Sequence, residues 1–252
     1  MFSRKIKFIA SKEYIDATKI FPEPSKLNIP LWFKELKHSE TNKTVKGCMP
    51  FLDTLTAGYL IRMPVDYYIK HNFKEEGNRL TEGYTRLNNY KDINLNIKGE
   101  SEIHSVEQLG TKCPFVNKNK NLPFYKILNP WLIKTPPGYS CLFLPPMNNG
   151  DDRFSIIPGI VDTDGLDQEV NFPIIINGDK YPVLETTIKA GTPLVQVIPF
   201  KREEWKMVVE SKGSIDRNKM HFLYNTKLVN IYKNKGWSKK SWKWYHRLCK
   251  VI

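Results

Sequence analysis

The sequence predicts a mainly β fold of sandwich or barrel-like type, with a few short helices, an N-terminal strap and a basic C-terminal arm. Three observations carry that expectation. Short runs of β-branched and aromatic residues recur at close spacing, with Gly, Pro and Asn between them, as in antiparallel β architectures. Two glycine–proline turns, Thr135-Pro136-Pro137-Gly138-Tyr139 and Ala190-Gly191-Thr192-Pro193, bracket a third turn that bears carboxylates, Pro158-Gly159-Ile160-Val161-Asp162-Thr163-Asp164-Gly165. Finally, residues 217–252 hold ten basic and no acidic residues, which is ten of the thirteen excess positive charges. The rest of the chain is close to neutral, so the polycation is a local field.

Taken in order, residues 1–45 read as a strap. Lys5-Ile6-Lys7-Phe8-Ile9-Ala10 alternates at period two and predicts a strand. Phe21-Pro22-Glu23-Pro24 and Ile29-Pro30 then interrupt regular structure, and Pro30 suits the start of a short helix over 31–36. Residues 46–210 form the predicted β domain. Strands are expected throughout 47–97, best over 60–70, where Pro64 marks an edge or bulge, and more weakly over 81–87 and 93–97. Residues 101–121 predict polar loop with one helical turn. Strands resume at 132–134, after Asn129-Pro130-Trp131, and in the apolar run 140–144. Residues 202–211 predict a helix, with Glu203 and Glu204 suited to its first turn, and 224–232 a second one. The basic aromatic arm is 211–252.

A chain of 252 residues is long enough for one generous core. It has no apolar run long enough for a membrane-spanning helix. The basic N-terminus is followed by no apolar stretch, so no secretory signal is expected. The four cysteines, Cys48, Cys113, Cys141 and Cys249, are scattered singly, with no C-x-x-C pair and no histidine at ligand spacing. No metal site is expected, and reduced thiols are. Cys48 and Cys113 read as small buried apolar residues.

Asp162 and Asp164 follow Ile160-Val161 at i and i+2, so extended backbone aims both carboxylates at one face. Two like charges in one cleft raise at least one pKa, which suits general-base work or divalent-cation binding. Both are candidate catalytic residues, with Arg153 and Lys201 as candidate counter-charges. An alternative stays open: Asp162 caps a turn through its side chain, while Asp164-Gly165 reverses the chain. The five histidines are widely spaced and pair with no nucleophile motif. Phosphate loops of Walker or Rossmann type are absent.

The ordered series Pro137-Gly138-Tyr139, Leu144-Pro145-Pro146, Gly159-Ile160-Val161-Asp162-Thr163-Asp164, Val170-Asn171-Phe172-Pro173 and Ile188 to Gln196 resembles the dUTPase and dCTP deaminase superfamily over residues 132–202. The resemblance implies a β-clip barrel and a trimer with exchanged C-terminal arms. It also implies an attacking water oriented by Asp162, with magnesium carried only by a bound nucleotide. Ligand-binding candidates are then Tyr139, Asn148, Asn149 and Gln196. Three of the family's features are missing, among them its glycine-rich, phosphate-covering C-terminal motif. Where its second motif supplies arginine and serine to the phosphates, this chain has Pro145-Pro146-Met147-Asn148-Asn149; no tyrosine follows Asp164. Loss of those donors removes most of the electrostatic stabilisation on which phosphoryl chemistry depends. Thr135 to Ser140, Gly159 to Asp164 and Gly191 to Arg202 also resemble blocks of a family of small phage and environmental bacterial proteins. That likeness implies phage origin and a place in the host cytoplasm or in a virion, with other virion proteins as possible partners.

In the arm, Tyr232, Trp237, Trp242, Trp244 and Tyr245 interleave with Lys233, Lys235, Lys239, Lys240, Lys243 and Arg247. Such a pattern fits an arm packed on a neighbouring subunit, a stacking platform for single-stranded nucleic acid, or an anionic membrane surface. The contact candidates are Trp237, Lys239, Lys240, Trp242, Lys243, Trp244 and Arg247. The sequence thus favours a non-catalytic phage-type structural or binding protein that oligomerises through its arms. The alternatives are a nucleotide-processing hydrolase using Asp162 and a nucleic-acid-binding protein using residues 217–252.

Overall fold

The elements follow from local signals. Strand β1 (Lys7–Ile9) leads into helix α1 (Lys12–Thr18), where the Ser11 side chain accepts the Tyr14 N–H at 3.1 Å and caps the first turn. A two-residue strand β2 (Glu23–Pro24) precedes α2 (Leu31–Glu35), which begins after Pro30 as the sequence predicts. Met49 to Thr56 is helix α3 rather than strand. Pro50, which lacks a backbone N–H, fits the first helical turn but would interrupt a sheet ladder. The expected strand over 60–70 is two strands, β3 (Tyr59–Arg62) and β4 (Tyr67–Asn72), parted around Pro64 and belonging to different sheets. Next come β5 (Glu82–Thr85), β6 (Glu102–His104), α4 (Val106–Leu109), α5 (Pro114–Lys118), β7 (Phe124–Ile127) and β8 (Leu132–Lys134). The chain continues with β9 (Tyr139–Leu144), β10 (Phe154–Ile156), β11 (Gly159–Val161), β12 (Phe172–Ile176), β13 (Val183–Ile188) and β14 (Pro193–Lys201). This computed structural model describes residues 5–39, 41–74, 82–85, 102–119, 124–211, 218–219, 221–222 and 232–238. The expected strand over 93–97 and most of the expected helix over 224–232 lie outside them.

Four sheets share one core. A five-stranded sheet has the order β11-β9-β14-β3-β2, a four-stranded sheet β10-β12-β7-β6, a three-stranded sheet β13-β4-β5, and β1 pairs with β8. Every pairing among the described residues is antiparallel. Ile61, Ile69, Ile133, Phe143, Ile174, Ile188 and Val197 meet in a single buried cluster drawn from all four sheets. The strap contributes to it as well. Tyr14 is buried there edge-on to Trp131, with ring centroids 5.7 Å apart, and Phe8 and Phe21 pack against the same cluster. The mainly β expectation holds at that level. Gly58, at φ +67, lets the chain pass so close to β14 that a Cβ would stand 2.0 Å from the Val197 carbonyl oxygen.

Three local expectations are corrected. Cys48 is exposed and Cys113 only half-buried, because each occupies the capping position before a helix and not a strand interior. Residues 202–211 form neither helix nor strand, and every one of them is exposed. Nothing among the described residues packs against their apolar side chains, and a helix this short is marginal without packing.

Candidate functional site

The turn after β11 brings the two carboxylates together. Val161 pairs with Cys141 on β9. The next turn closes on the Asp162 carbonyl, which accepts the N–H groups of Gly165 at 3.2 Å and Leu166 at 3.1 Å. Thr163 between them is fully buried, its hydroxyl 2.7 Å from that of Thr135 and donating to the Cys141 sulfur at 3.3 Å. An inward middle residue turns its two neighbours outward. Asp162 and Asp164 therefore share the outer side of one corner, as their spacing predicts.

Their electrostatics differ from the expectation. Arg202, the first residue past β14, donates from its guanidinium to both oxygens of Asp164. The same group lies 3.1 Å from Asp162 Oδ1 and donates to the Ser140 hydroxyl at 2.9 Å. Gly138, in the left-handed region at φ +80, donates its N–H to Asp164 Oδ2 at 2.8 Å. The Arg202 hydrogen bonds, and then the Gly138 N–H, hold the Asp164 carboxyl down at about 2. At Asp164 the shift is thus downward, because a bidentate guanidinium and a backbone N–H both stabilise its carboxylate. Asp164 is a fixed anion near neutral pH and does not take up a proton there. Asp162 is more open, with a side chain 70 % exposed, and accepts the Ser140 hydroxyl at 2.6 Å. Its side chain does not cap the turn; its backbone carbonyl does that work.

The counter-charges named from sequence are engaged elsewhere. Arg153 pairs with Asp151 and donates to Thr186 Oγ1 at 2.8 Å, and Lys201 pairs with Glu203 at 2.7 Å. Arg202 and Ser140 are the members of the corner that the sequence reading missed. Alternation along β14 was the available signal, since adjacent residues face opposite sides and Lys201 could not stand in for Arg202.

The four ligand candidates do not gather at this corner. Tyr139 is adjacent, but its hydroxyl is buried. Asn148, at φ 58, donates to Thr54 Oγ1 at 2.8 Å, and Asn149 donates to the Asn28 carbonyl at 2.8 Å. Gln196 is 1 % exposed; its amide donates to the carbonyls of Thr54 at 2.9 Å and Ala57 at 2.7 Å and accepts the Met147 N–H at 2.8 Å. These three side chains tie the loop after β9 to α3 and to Asn28. That loop lies beyond the Leu144 end of β9, about 17 Å along the strand from Tyr139. Among the described residues, these three side chains and Asp162 thus stand towards opposite ends of β9.

Of the contact candidates in the arm, Trp237 donates its indole N–H to the Asp53 carboxylate of α3, at 3.2 Å to the nearer oxygen. Lys239, Lys240, Trp242, Lys243, Trp244 and Arg247 lie outside the described residues. Among the described residues, no group of three or more His, Cys, Asp or Glu side chains is placed to hold a metal ion. No described helix is long and apolar enough to cross a membrane. Burial pushes the Cys141 thiol up to about 11, which leaves it protonated and inert. Compared with known proteins, the chain matches no family model and no curated protein.

Proposed function

We propose that this chain is a non-catalytic, phage-type binding or structural protein that assembles through its C-terminal arm. The observation that carries the reading is the segment 203–210, which leaves the β domain and leads into residues 211–252, so that the arm begins structurally after Arg202. After Arg202 the chain leaves the sheet fully exposed, with Trp205 at 88 %, Met207 at 85 % and Val209 at 84 %. Large apolar side chains so open to water mark a surface that acquires a partner. Burial contributes roughly 1.5–3 kcal/mol for each. Exchange of two arms doubles the gain and brings it to the scale of the about 4–15 kcal/mol lost on association.

The corner supports the same reading. Arg202 is fastened by Asp164, Ser140 and the Gly138 carbonyl, which accepts its N–H at 2.9 Å. The carboxylates thus anchor the root of the arm, and the more buried of the two has its oxygens engaged. The motif series falls on β9, β11, the start of β12, the end of β13 and β14, and on the turns beside them, in favour of a dUTPase-like clip as the scaffold.

Sedimentation of the full chain over a wide concentration range tests the proposal, with a nucleotide-hydrolysis screen in magnesium run beside it. The expected result is a self-associated species that Trp205→Ser, Met207→Ser and Val209→Ser together dissociate, and no turnover. A monomer at every concentration overturns it. So does hydrolysis of a deoxynucleotide that Asp162→Asn abolishes, which would restore the enzyme reading.

A further inference from the structure

We propose that residues 204–210 of one copy add as a strand to the open edge of β11 in a second copy; this names the acceptor for the arm-mediated assembly above and rests on it. The segment reads as a strand with one apolar face. Trp205, Met207 and Val209 alternate with Lys206, Val208 and Glu210, a period of two. Strand addition supplies such a segment with both a ladder of main-chain hydrogen bonds and a surface for alternate side chains.

The edge of β11 fits it. Among the described residues, β11 ends the five-stranded sheet and has no strand on its outer side. Exposed edges are ordinarily guarded by charges, as at Glu23 on β2, Glu185 on β13, and Lys7 and Lys134 on the β1–β8 pair; the β10 edge also lacks a charge, but its apolar residues Phe154 and Ile156 are buried. Gly159-Ile160-Val161 has none. Ile160 is instead 64 % exposed. It stands opposite Leu142, which stands opposite Ile198, so an apolar row crosses the sheet and runs out at this edge.

The chain cannot reach its own edge. Both β11 and β14 run antiparallel to β9, and so run the same way as each other. A chain leaving β14 moves past the end of β11 and would have to reverse to pair with it. Residues 202–211 contain no Gly, Pro, Asn or Asp to make that reversal, and Arg202 is pinned at the corner. The pinning places the root of the arm beside Asp162, one residue past β11. Donor and acceptor surfaces are therefore adjacent, which is what reciprocal exchange about a two-fold axis requires.

Sedimentation of four full-length forms tests this inference: the wild type, the edge variant Ile160→Lys, the arm variant Trp205→Ser/Met207→Ser, and the control Val183→Lys at the exposed start of β13. The expected result is that the edge and arm variants each weaken association about tenfold or more, while the control matches the wild type. If Ile160→Lys lowers the melting midpoint, Ile160→Thr, which keeps β-branching, replaces it. Edge variants that associate like the wild type, beside a dissociated arm variant, overturn β11 as acceptor and leave arm-mediated assembly standing. An equal loss in the control also overturns β11. An arm variant that associates like the wild type overturns both.

Discussion

Gln196 offers the sharpest test of whether a residue named from motif likeness serves a ligand or the fold. Its amide is buried and makes three hydrogen bonds to backbone groups, linking β14 to α3 and to Met147. Gln196→Leu nearly conserves volume and removes all three. At about 1 kcal/mol net for each bond, the loss is about 3 kcal/mol. In a chain of this size that lowers the melting midpoint by roughly 6–12 °C. Gln196→Glu should be worse at neutral pH, because a carboxylate then faces the Thr54 and Ala57 carbonyl oxygens. Such a group has a raised folded pKa, so the extra deficit shrinks as pH falls through that pKa and the acid becomes a donor. Thermal unfolding of both variants from neutral to acid pH is the assay. A Gln196→Leu midpoint equal to that of the wild type, or a Glu variant indifferent to pH, refutes the structural role.

Other expectations follow from single sites. His71 is 2 % exposed, its Nε2–H given to the Tyr181 carbonyl at 2.7 Å, and burial lowers its pKa despite that bond. Stability should therefore fall as pH drops below the ordinary histidine pKa of about 6.5, where the unfolded chain takes up the proton first. Urea midpoints for the wild type should then decline more steeply towards acid than those of His71→Gln; parallel declines would sink this. Gly58→Ala places a methyl group against the Val197 carbonyl at positive φ, and chemical denaturation should show a loss of more than about 2 kcal/mol. Arg202→Gln should raise the Asp164 carboxyl from about 2 towards the ordinary aspartate range, which NMR titration of the side chain reads; an unmoved value would show that the Gly138 N–H alone sets it.

Much of the scaffold was legible because its signals are local. Gly138 and Gly191 stand at turns with positive φ, and the strands that flank these turns carry the β-branched runs the sequence displays. The Asp-Thr-Asp spacing gave the shared corner for the same reason: alternation is a property of three consecutive residues. What was lost is what depends on distant parts of the chain. Arg202 reaches Asp164 across 38 positions, and no pattern near either residue announces the pairing. Asn148, Asn149 and Gln196 look like ligand contacts in a motif series, yet each is bound to α3 or Asn28 once the chain folds. The helix expected over 202–211 rested on two glutamates suited to a first turn, but a helix this short needs tertiary packing, which these exposed residues lack. Helix α3 was hidden within a stretch read as strands, although Pro50 marked its start.

Hydrogen exchange at the amides of residues 204–210, followed in the full chain as concentration rises, tests arm-mediated assembly most directly. Among the described residues, none of these amides donates to a backbone partner, so they should exchange freely in dilute solution. Protection that rises with concentration and disappears in Trp205→Ser/Met207→Ser is the expected result; free exchange at every concentration contradicts it.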